Sequence, residues 1–262
     1  MDIHKAREDK IVSPEVSIIT VVKNDARGLC NTLQNISDQD YFNFECLIIF
    51  GESIDNTREI AEKFIQTDSR FLLVPESSHG IYSAMNDGIR IAKGKFLNFM
   101  NAGDIFWDSQ SLGKLVAAMN SQEADLVIGG FVVDNNELRK SSKTQGKFTA
   151  KDFAFNRNWG NHQAMLFRRK APDIYYDLRY PIASDFRFVL EHLSMAPGNY
   201  ISEKVARIAS GGISDTRLIS GYVEKFRIRR IVFEDFRTQI WNAMWTIAAI
   251  AKVVFKRSLH RS

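Results

Sequence analysis

The sequence has few of the residues and motifs that mark several common protein classes. Only two cysteines occur among 262 residues, Cys30 and Cys46, and their spacing matches neither a zinc knuckle nor a CxxC redox pair, so both are expected to be reduced core thiols. No GxxxxGKS/T loop is present, and no GxGxxG follows the first apolar run, so kinase and dinucleotide-binding functions lack their usual phosphate cradles. The first ten residues are charged with no apolar segment behind them, so no secretory signal is predicted and a cytoplasmic protein is expected.

Excess positive charge is absent from most of the chain and concentrated near its end. The formal net charge is +4, yet residues 222–262 hold nine lysines and arginines against three acids, a balance of +6 that leaves −2 for the rest. A basic tail on a near-neutral body favours an anionic surface as partner. Nucleic acid is not the predicted partner, because the basic residues cluster in one tail instead of lining an aromatic-rich groove.

The apolar run in this tail is too short to cross a membrane. Residues 240–251 would extend about 18 Å as a helix at ~1.5 Å per residue, whereas a bilayer core is about 30 Å thick. We predict that residues 216–262 form a basic amphipathic helical tail that lies on the cytoplasmic membrane surface, with Trp241 and Trp245 in the headgroup region. The alternative is a helix packed on the domain or on a partner subunit.

Apolar strands alternate with amphipathic helices over the first 130 residues. The β-branched run 16–22 indicates a buried strand, and a helical repeat of apolar residues follows it, with Asn24 or Asp25 as the expected cap. Such alternation predicts a mostly parallel sheet whose ligands bind beyond the carboxyl ends of the strands. After about residue 135 the alternation weakens. Further strands are predicted at residues 46–50, 71–74, 96–100 and 126–129, and further helices near 60–64, 80–93 and 112–119.

A carboxylate and an amide directly follow the strand that ends at Met100. Asn101 and Asp104 flank a small, mobile backbone in the segment NAGD, at the edge where a ligand is expected. Mg²⁺ and Mn²⁺ take oxygen ligands, usually one or two carboxylates together with substrate phosphates and water. Asp104 is therefore a candidate metal ligand, and the alternative is that it caps the next helix.

Several segments in combination resemble family 2 glycosyltransferases of the GT-A fold, in particular a bacterial subgroup of exopolysaccharide and colanic-acid type. The resemblance runs from about residue 16 to residue 214. It rests on SIITVVKN at 17–24, similar to the first strand and nucleotide loop; GESIDNT at 51–57, similar to D-G-x-S-x-D-x-T; GIYSAMNDGI at 80–89, similar to G-I-Y-D-A-M-N-x-G-I; MNAGD at 100–104, similar to L-N-x-G-D in place of DxD; NHQA at 161–164; and ASDF at 183–186.

The resemblance implies a GT-A α/β domain in residues 1–215, with a Rossmann-like, mostly parallel sheet flanked by helices. It implies a metal-dependent inverting glycosyltransferase that moves a sugar from a nucleotide-sugar donor to a growing surface polysaccharide or another lipid-linked or oligosaccharide acceptor. The enzyme would be peripheral at the inner face of the cell membrane. Asp104 would hold Mg²⁺ or Mn²⁺, and Asp185 would be the general base that takes the acceptor proton. The implied donor-binding residues are Thr20, Val22, Lys23, Asn24, Ser53, Asp55, Asn86, Asn101 and His162.

Several of these roles have alternatives. Asp55 is also expected to cap the helix after it, Asp185 is equally suited to a helix cap, and His162 to a hydrogen-bonded wall residue. The segment GGIS at 211–214 would close over the donor or form only a turn. Phe50, Ser83 and Arg187 stand where the subgroup often has acids, which permits a different function: a catalytically degenerate GT-A domain that binds nucleotide sugar or acts as a scaffold.

Overall fold

The computed structural model describes residues 13–121, 124–133, 146–155, 160–210 and 217–259. Its first part is the predicted alternation, with every strand and helix at the expected place. Strands β1, β2 and β4 are largely apolar and buried on both faces, which is the pattern of a parallel sheet covered by helices, whereas the edge strand β3 is partly exposed. The elements are β1 (Val16–Val22), α1 (Ala26–Ser37), β2 (Phe44–Phe50), α2 (Thr57–Thr67), β3 (Phe71–Pro75), α3 (Ile81–Ile91) and β4 (Phe96–Phe99).

The second part mixes short and long strands and ends in two long helices. A single turn of 3-10 helix, His162–Ala164, precedes β8. The elements are β5 (Ile105–Phe106), α4 (Ser111–Ser121), β6 (Leu126–Val133), β7 (Gly146–Phe148), α5 (Ala150–Phe155), β8 (Met165–Arg168), α6 (Ser184–Met195), β9 (Gly198–Ile208), α7 (Leu218–Val232) and α8 (Phe236–Leu259).

Within the described ranges, nine strands form one sheet in the order β3-β2-β1-β4-β8-β6-β9-β5, with β7 paired to β9. β1, β2, β3 and β4 run parallel, as do β6 and β9. β8 lies antiparallel between β4 and β6 and joins the two parallel parts. The prediction of a mostly parallel sheet is confirmed. The carboxyl ends of β1, β2 and β4 therefore open on the same edge.

The two faces of β1 bury different helices. Ile18 belongs to a core cluster with Leu33 of α1, while Ile19 packs into a second cluster with α3. Helix α3 approaches closely at Gly88, where a Cβ atom would lie only 2.6 Å from Ile19 Cγ2. Each fully buried aliphatic side chain contributes about 1.5–3 kcal/mol. Asp25 begins α1 as its N-cap, accepting a 2.9 Å hydrogen bond from Gly28 N, which confirms the expected cap.

Helix α7 packs against the domain through a buried arginine. Arg229 has no exposed surface; its Nε donates to the Ala154 carbonyl at 2.8 Å, and its guanidinium lies 4.4 Å from the centre of the Trp245 ring. Trp245 therefore faces inward, whereas Trp241 on the same helix is exposed. Among the described helices none is long and apolar enough to span a bilayer.

Helix α8 buries three uncharged polar residues and exposes most of its large apolar residues. Thr238, Asn242 and Thr246 are spaced four residues apart and buried against the rest of the molecule, and Asn242 Nδ2 donates to the Phe226 carbonyl at 3.1 Å. The opposite face is apolar and open, with exposed fractions as high as 78% for the first residue of the helix. Its exposed apolar residues are Phe236, Ile240, Trp241, Met244, Ile247, Val254 and Phe255.

Candidate active site

Two loops at the carboxyl edge of the sheet are joined by the predicted donor-binding residues Asn24 and Ser53. Asn24 adopts φ +52°, a left-handed conformation that asparagine tolerates better than most residues. Its backbone N donates to Ser53 Oγ at 3.0 Å, and its Oδ1 accepts from Ile54 N at 2.8 Å. Lys23 is exposed beside them. The structure brings these three residues to the predicted edge, and their contact with a donor stays a prediction.

Asp55 fixes the same pair of loops from the other side. Its Oδ1 accepts from Thr57 N, the first amide of α2, at 3.1 Å, although the N-cap position itself is Asn56, and its Oδ2 accepts from Ala26 N at 3.1 Å at the start of α1. The Thr57 hydroxyl also donates to this carboxylate, and these hydrogen bonds lower the pKa of Asp55. Asp55 therefore shapes the edge by holding α1 against α2.

Three of the predicted donor-binding side chains do not line the open edge. Thr20 is fully buried, with its hydroxyl 3.7 Å from the Cys46 thiol, whose pKa burial raises to about 12. Val22 is in the core, and only its carbonyl takes part at the edge, accepting from the backbone of the next loop. Asn86 is buried and holds the backbone of Tyr176 by two hydrogen bonds of 2.8 and 2.9 Å. These three buried residues therefore stabilise the backbone beneath the open edge.

Asp104 is held rigidly at the end of β4. Its Oδ1 accepts from Ala209 N at 2.9 Å and its Oδ2 from Gln163 Nε2 at 2.7 Å, while Thr32 Oγ1 donates to its backbone carbonyl at 2.8 Å. Gly103 before it has φ +91°, a conformation that favours glycine. The alternative of a helix cap is wrong, because the strand β5 follows Asp104 directly. The carboxylate thus points from the sheet edge towards the segment after β9.

The oxygens around Asp104 suit a hard divalent cation. Asn101 Oδ1 is buried and has no hydrogen-bond partner, and Gln163 Oε1 shares this property. A buried oxygen without a donor costs free energy unless a bound group satisfies it. Among the described residues no cluster of three His, Cys, Asp or Glu side chains could hold a metal. The donor set therefore fits an ion that takes one carboxylate and one amide oxygen from the protein and its remaining ligands from diphosphate and water.

Asp185 lies near the start of α6, in a wall of aromatic and basic side chains. Asp185 is the second residue of α6, and one of its carboxylate oxygens accepts from the next backbone N–H, Phe186 N, at 2.8 Å, whereas the N-cap position is Ala183. Burial and the negative charge of Asp185 raise the pKa values of Tyr82 and Tyr176 well above the usual range. Burial lowers the pKa of Lys225, and the same carboxylate opposes that shift. Asp185 is thus a half-buried charge surrounded by two hydroxyls and one ammonium.

His162 lies between the two predicted carboxylates. Its Nε2 is 3.4 Å from Asn101 Nδ2 on the side of Asp104. Burial lowers the pKa of His162, and the charge of Asp185 on the other side opposes this shift. A neutral imidazole at pH 7 can accept the hydrogen bond from the Asn101 amide. Residues 101–104, His162 and Asp185, which are far apart in sequence, therefore meet at one edge.

The residues that replace the subgroup's acids do not act as acids here. Phe50 packs against the core, and the Ser83 hydroxyl is hydrogen bonded to Ser78. Arg187 forms ion pairs of 2.8 Å with Asp177 and with Glu191. The segment 211–214 lies outside the described residues.

Sequence reasoning missed three groups at this site. Gln163 lies inside the recognised NHQA segment, so the segment itself was the available signal, but nothing in it reveals a contact with Asp104. Tyr176 has no motif around it, and its buried hydroxyl has no partner. Glu224 accepts hydrogen bonds from Ile182 N at 3.0 Å and from Ala183 N at 2.8 Å, just before Asp185. No sequence signal links residues 41 positions apart.

Comparisons with known proteins identify the family and the fold. The family model described as "Glycosyl transferase family 2" matches residues 17–179. A PGL/p-HBAD biosynthesis glycosyltransferase of Mycobacterium bovis is 31% identical over 182 residues, which are 68% of this chain and 69% of that protein. The Escherichia coli UDP-Glc:alpha-D-GlcNAc-diphosphoundecaprenol beta-1,3-glucosyltransferase WfgD is 30% identical over 52% of this chain and 51% of its own length. S. aureus TarS 1-349 in complex with UDP has a TM-score of 0.71 at 16% identity, covering 90% of this chain and 70% of that chain, which confirms the predicted GT-A fold.

Proposed function

Because the chain belongs to glycosyl transferase family 2, we propose that it transfers a sugar from a nucleotide-sugar donor to a lipid-linked or oligosaccharide acceptor of a growing surface polysaccharide, in one inverting displacement. The observation that carries this proposal is that one short turn links two separate carboxylates: Gln163 donates to Asp104 at 2.7 Å, and the neighbouring His162 contacts Asn101 and feels the charge of Asp185. One carboxylate serves the donor and the other serves the acceptor. This arrangement supports catalysis over the alternative of a degenerate scaffold domain.

On the donor side, Asp104 and Asn101 would hold the metal. A bound Mg²⁺ or Mn²⁺ would neutralise the charge that develops on the departing diphosphate. Gln163 and Ala209 N orient the Asp104 carboxylate, so its position is fixed before the donor arrives. The loop residues Lys23, Asn24 and Ser53 lie along the same edge, within reach of a nucleotide that extends away from the metal.

On the acceptor side, Asp185 would accept the proton of the attacking hydroxyl. A positioned general base contributes about 10²–10⁴-fold to rate. Tyr82, Tyr176 and Phe188 stack on one another beside it, with ring centres 5.1 and 4.4 Å apart. Such an apolar wall excludes water from the transferring sugar.

A membrane-embedded acceptor is supported by the inverted polarity of α8. A helix that buries Thr238, Asn242 and Thr246 while exposing its apolar face is suited to an outer environment less polar than water. Exposed basic residues such as Arg237 and Lys252 would meet anionic headgroups at the inner face of the membrane. The name of the E. coli relative, which acts on a diphosphoundecaprenol-linked sugar, supports the same class of acceptor.

Thermal unfolding with a panel of nucleotide sugars, with and without Mn²⁺, tests the donor half. A ligand at 100 times its Kd stabilises the folded state by about 2.7 kcal/mol. We expect at least one nucleotide sugar to raise Tm, and Mn²⁺ to enlarge the shift. Asp104→Asn, which keeps the side-chain shape, should lose the Mn²⁺-dependent part, and the exposed control Asp38→Asn should keep it. An unchanged Mn²⁺ effect in Asp104→Asn would contradict the metal assignment, and donor binding without any turnover would favour the scaffold alternative.

A further inference from the structure

Helix α6, which carries the proposed base, begins without a local cap. Its N-cap position is Ala183, whose methyl side chain accepts no hydrogen bond. Helices are usually started by Ser, Thr, Asp or Asn, or by a capping box in which a Glu three residues into the helix binds the N-cap backbone N–H. The residue at that position here is Phe186. The backbone N–H of Ala183, just before α6, therefore has no acceptor of the capping-box kind within the helix.

Glu224 of α7 supplies this acceptor from a distant part of the chain. One oxygen, Oε2, binds both Ile182 N at 3.0 Å and Ala183 N at 2.8 Å. The Ile182 carbonyl accepts from the Tyr82 hydroxyl at 3.1 Å, so the turn before α6 is held from both sides. Glu224 is held near the turn because Arg229, five residues further along α7, is buried and anchored to Ala154. The capping carboxylate is thus delivered by a rigidly packed helix.

We propose that Glu224 is a positioning residue for Asp185, an inference that rests on the proposed role of Asp185 as the base. The turn ends two residues before Asp185, so its position sets where the Asp185 carboxylate points. Because the cap is tertiary, the base is in place only when α7 is docked. The tail that is proposed to meet the membrane would then also complete the acceptor site. A displacement of about 1 Å in a reacting group can cost about 100-fold in rate.

The experiment compares Glu224→Ala, which removes the acceptor, with Glu224→Gln, which keeps an oxygen of the same reach. Glu234→Ala, an exposed glutamate just beyond α7, is the matched control. Hydrogen exchange of the peptide 181–188 is measured in the full chain together with Mn²⁺-dependent UDP binding and transfer from UDP-glucose to a short-chain polyprenyl-diphosphate-linked N-acetylglucosamine. We expect Glu224→Ala to speed exchange in that peptide and to lower kcat about 10- to 100-fold, with UDP affinity unchanged within about twofold. Glu224→Gln should stay within about threefold of wild type.

The outcomes separate this proposal from the one on which it rests. Unchanged exchange in Glu224→Ala, or faster exchange with an unchanged kcat, would overturn the positioning role. Equal loss in Glu224→Gln and Glu224→Ala would overturn it as well, because Glu224 would then act as a charged group in its own right. In an Asp185→Asn background the Glu224→Ala change should cost no further activity. If Asp185→Asn itself transfers normally, the proposed base is wrong, whereas the exchange result still decides whether Glu224 holds the turn.

Discussion

At the scale of single residues, the site depends on how closely α3 approaches the sheet. Tyr82 and Asn86 both lie on α3, where they hold Ile182 and Tyr176, the backbone that leads to Asp185. The close contact at Gly88 lets α3 sit at this depth. A side chain at Gly88 would push both contacts outward. Residue 88 therefore influences the acceptor wall without touching a substrate.

Replacing Gly88 by alanine is expected to destabilise the protein. The new Cβ would meet Ile19 Cγ2 at 2.6 Å, and overpacking of this kind typically costs about 1–3 kcal/mol. Gly113→Ala is the matched control, because Gly113 is also helical and its added Cβ would come no closer than 3.9 Å to Tyr41. That substitution should stabilise by about 0.4–1 kcal/mol through the unfolded chain. Urea unfolding midpoints measure the stability change in both variants. Equal midpoints for Gly88→Ala and Gly113→Ala would refute the proposed clash between residue 88 and Ile19.

At the scale of elements, α8 links the fold to its expected surroundings. Its buried polar face meets α7, and its outward face would lie in the headgroup layer of a bilayer. The prediction that both tryptophans lie in the headgroup region is wrong for Trp245, which packs inward on Arg229, whereas Trp241 lies on the outward face. Membrane attachment itself stays a proposal.

Vesicle sedimentation tests the outward face of α8. Full-length protein should sediment with vesicles that contain about one third phosphatidylglycerol, and less so at high salt, which screens the basic residues. Ile247→Glu should reduce the partition coefficient about tenfold or more, because burial of such a side chain is worth about 1.5–3 kcal/mol. Gln66→Glu, which adds the same charge to an exposed position of α2, should have no effect. If the wild-type protein binds no vesicles but forms a dimer by light scattering, and Ile247→Glu loses that dimer, the partner-subunit alternative is favoured.

The elements that sequence alone predicts are those whose signal is local. β1 to β4 are largely apolar runs, and α1 to α4 each carry an apolar stripe, so the pattern indicates both the type and the place of each element. β5 and β7 have only two and three residues, too few for any periodicity. The inward polar face of α8 could not be predicted either, because an apolar stripe normally indicates the buried side of a helix. Sequence gave the candidate carboxylates but not the contacts of Gln163 and Glu224, which join residues 59 and 41 positions apart.

At the scale of the whole molecule, the two halves of the site come from different parts of the fold. The proposed donor half consists of the loops after β1, β2 and β4, and the proposed acceptor half consists of α6 with support from α3 and α7. The His162–Ala164 turn joins them, since Gln163 holds Asp104 while His162 lies between Asn101 and Asp185. We therefore propose a division of labour in which Asp104 binds the metal and Asp185 accepts the proton.

One measurement tests this division most directly: donor binding and sugar transfer, determined side by side for Asp185→Asn. We expect Asp185→Asn to bind the nucleotide sugar with Mn²⁺ with an affinity within about twofold of wild type. Its rate of sugar transfer should fall about 10²–10⁴-fold, which is the usual contribution of a general base. The substitution keeps the shape and the hydrogen bond to Phe186 N, so folding should be unaffected. Transfer at the wild-type rate by Asp185→Asn would show that Asp185 is not the general base.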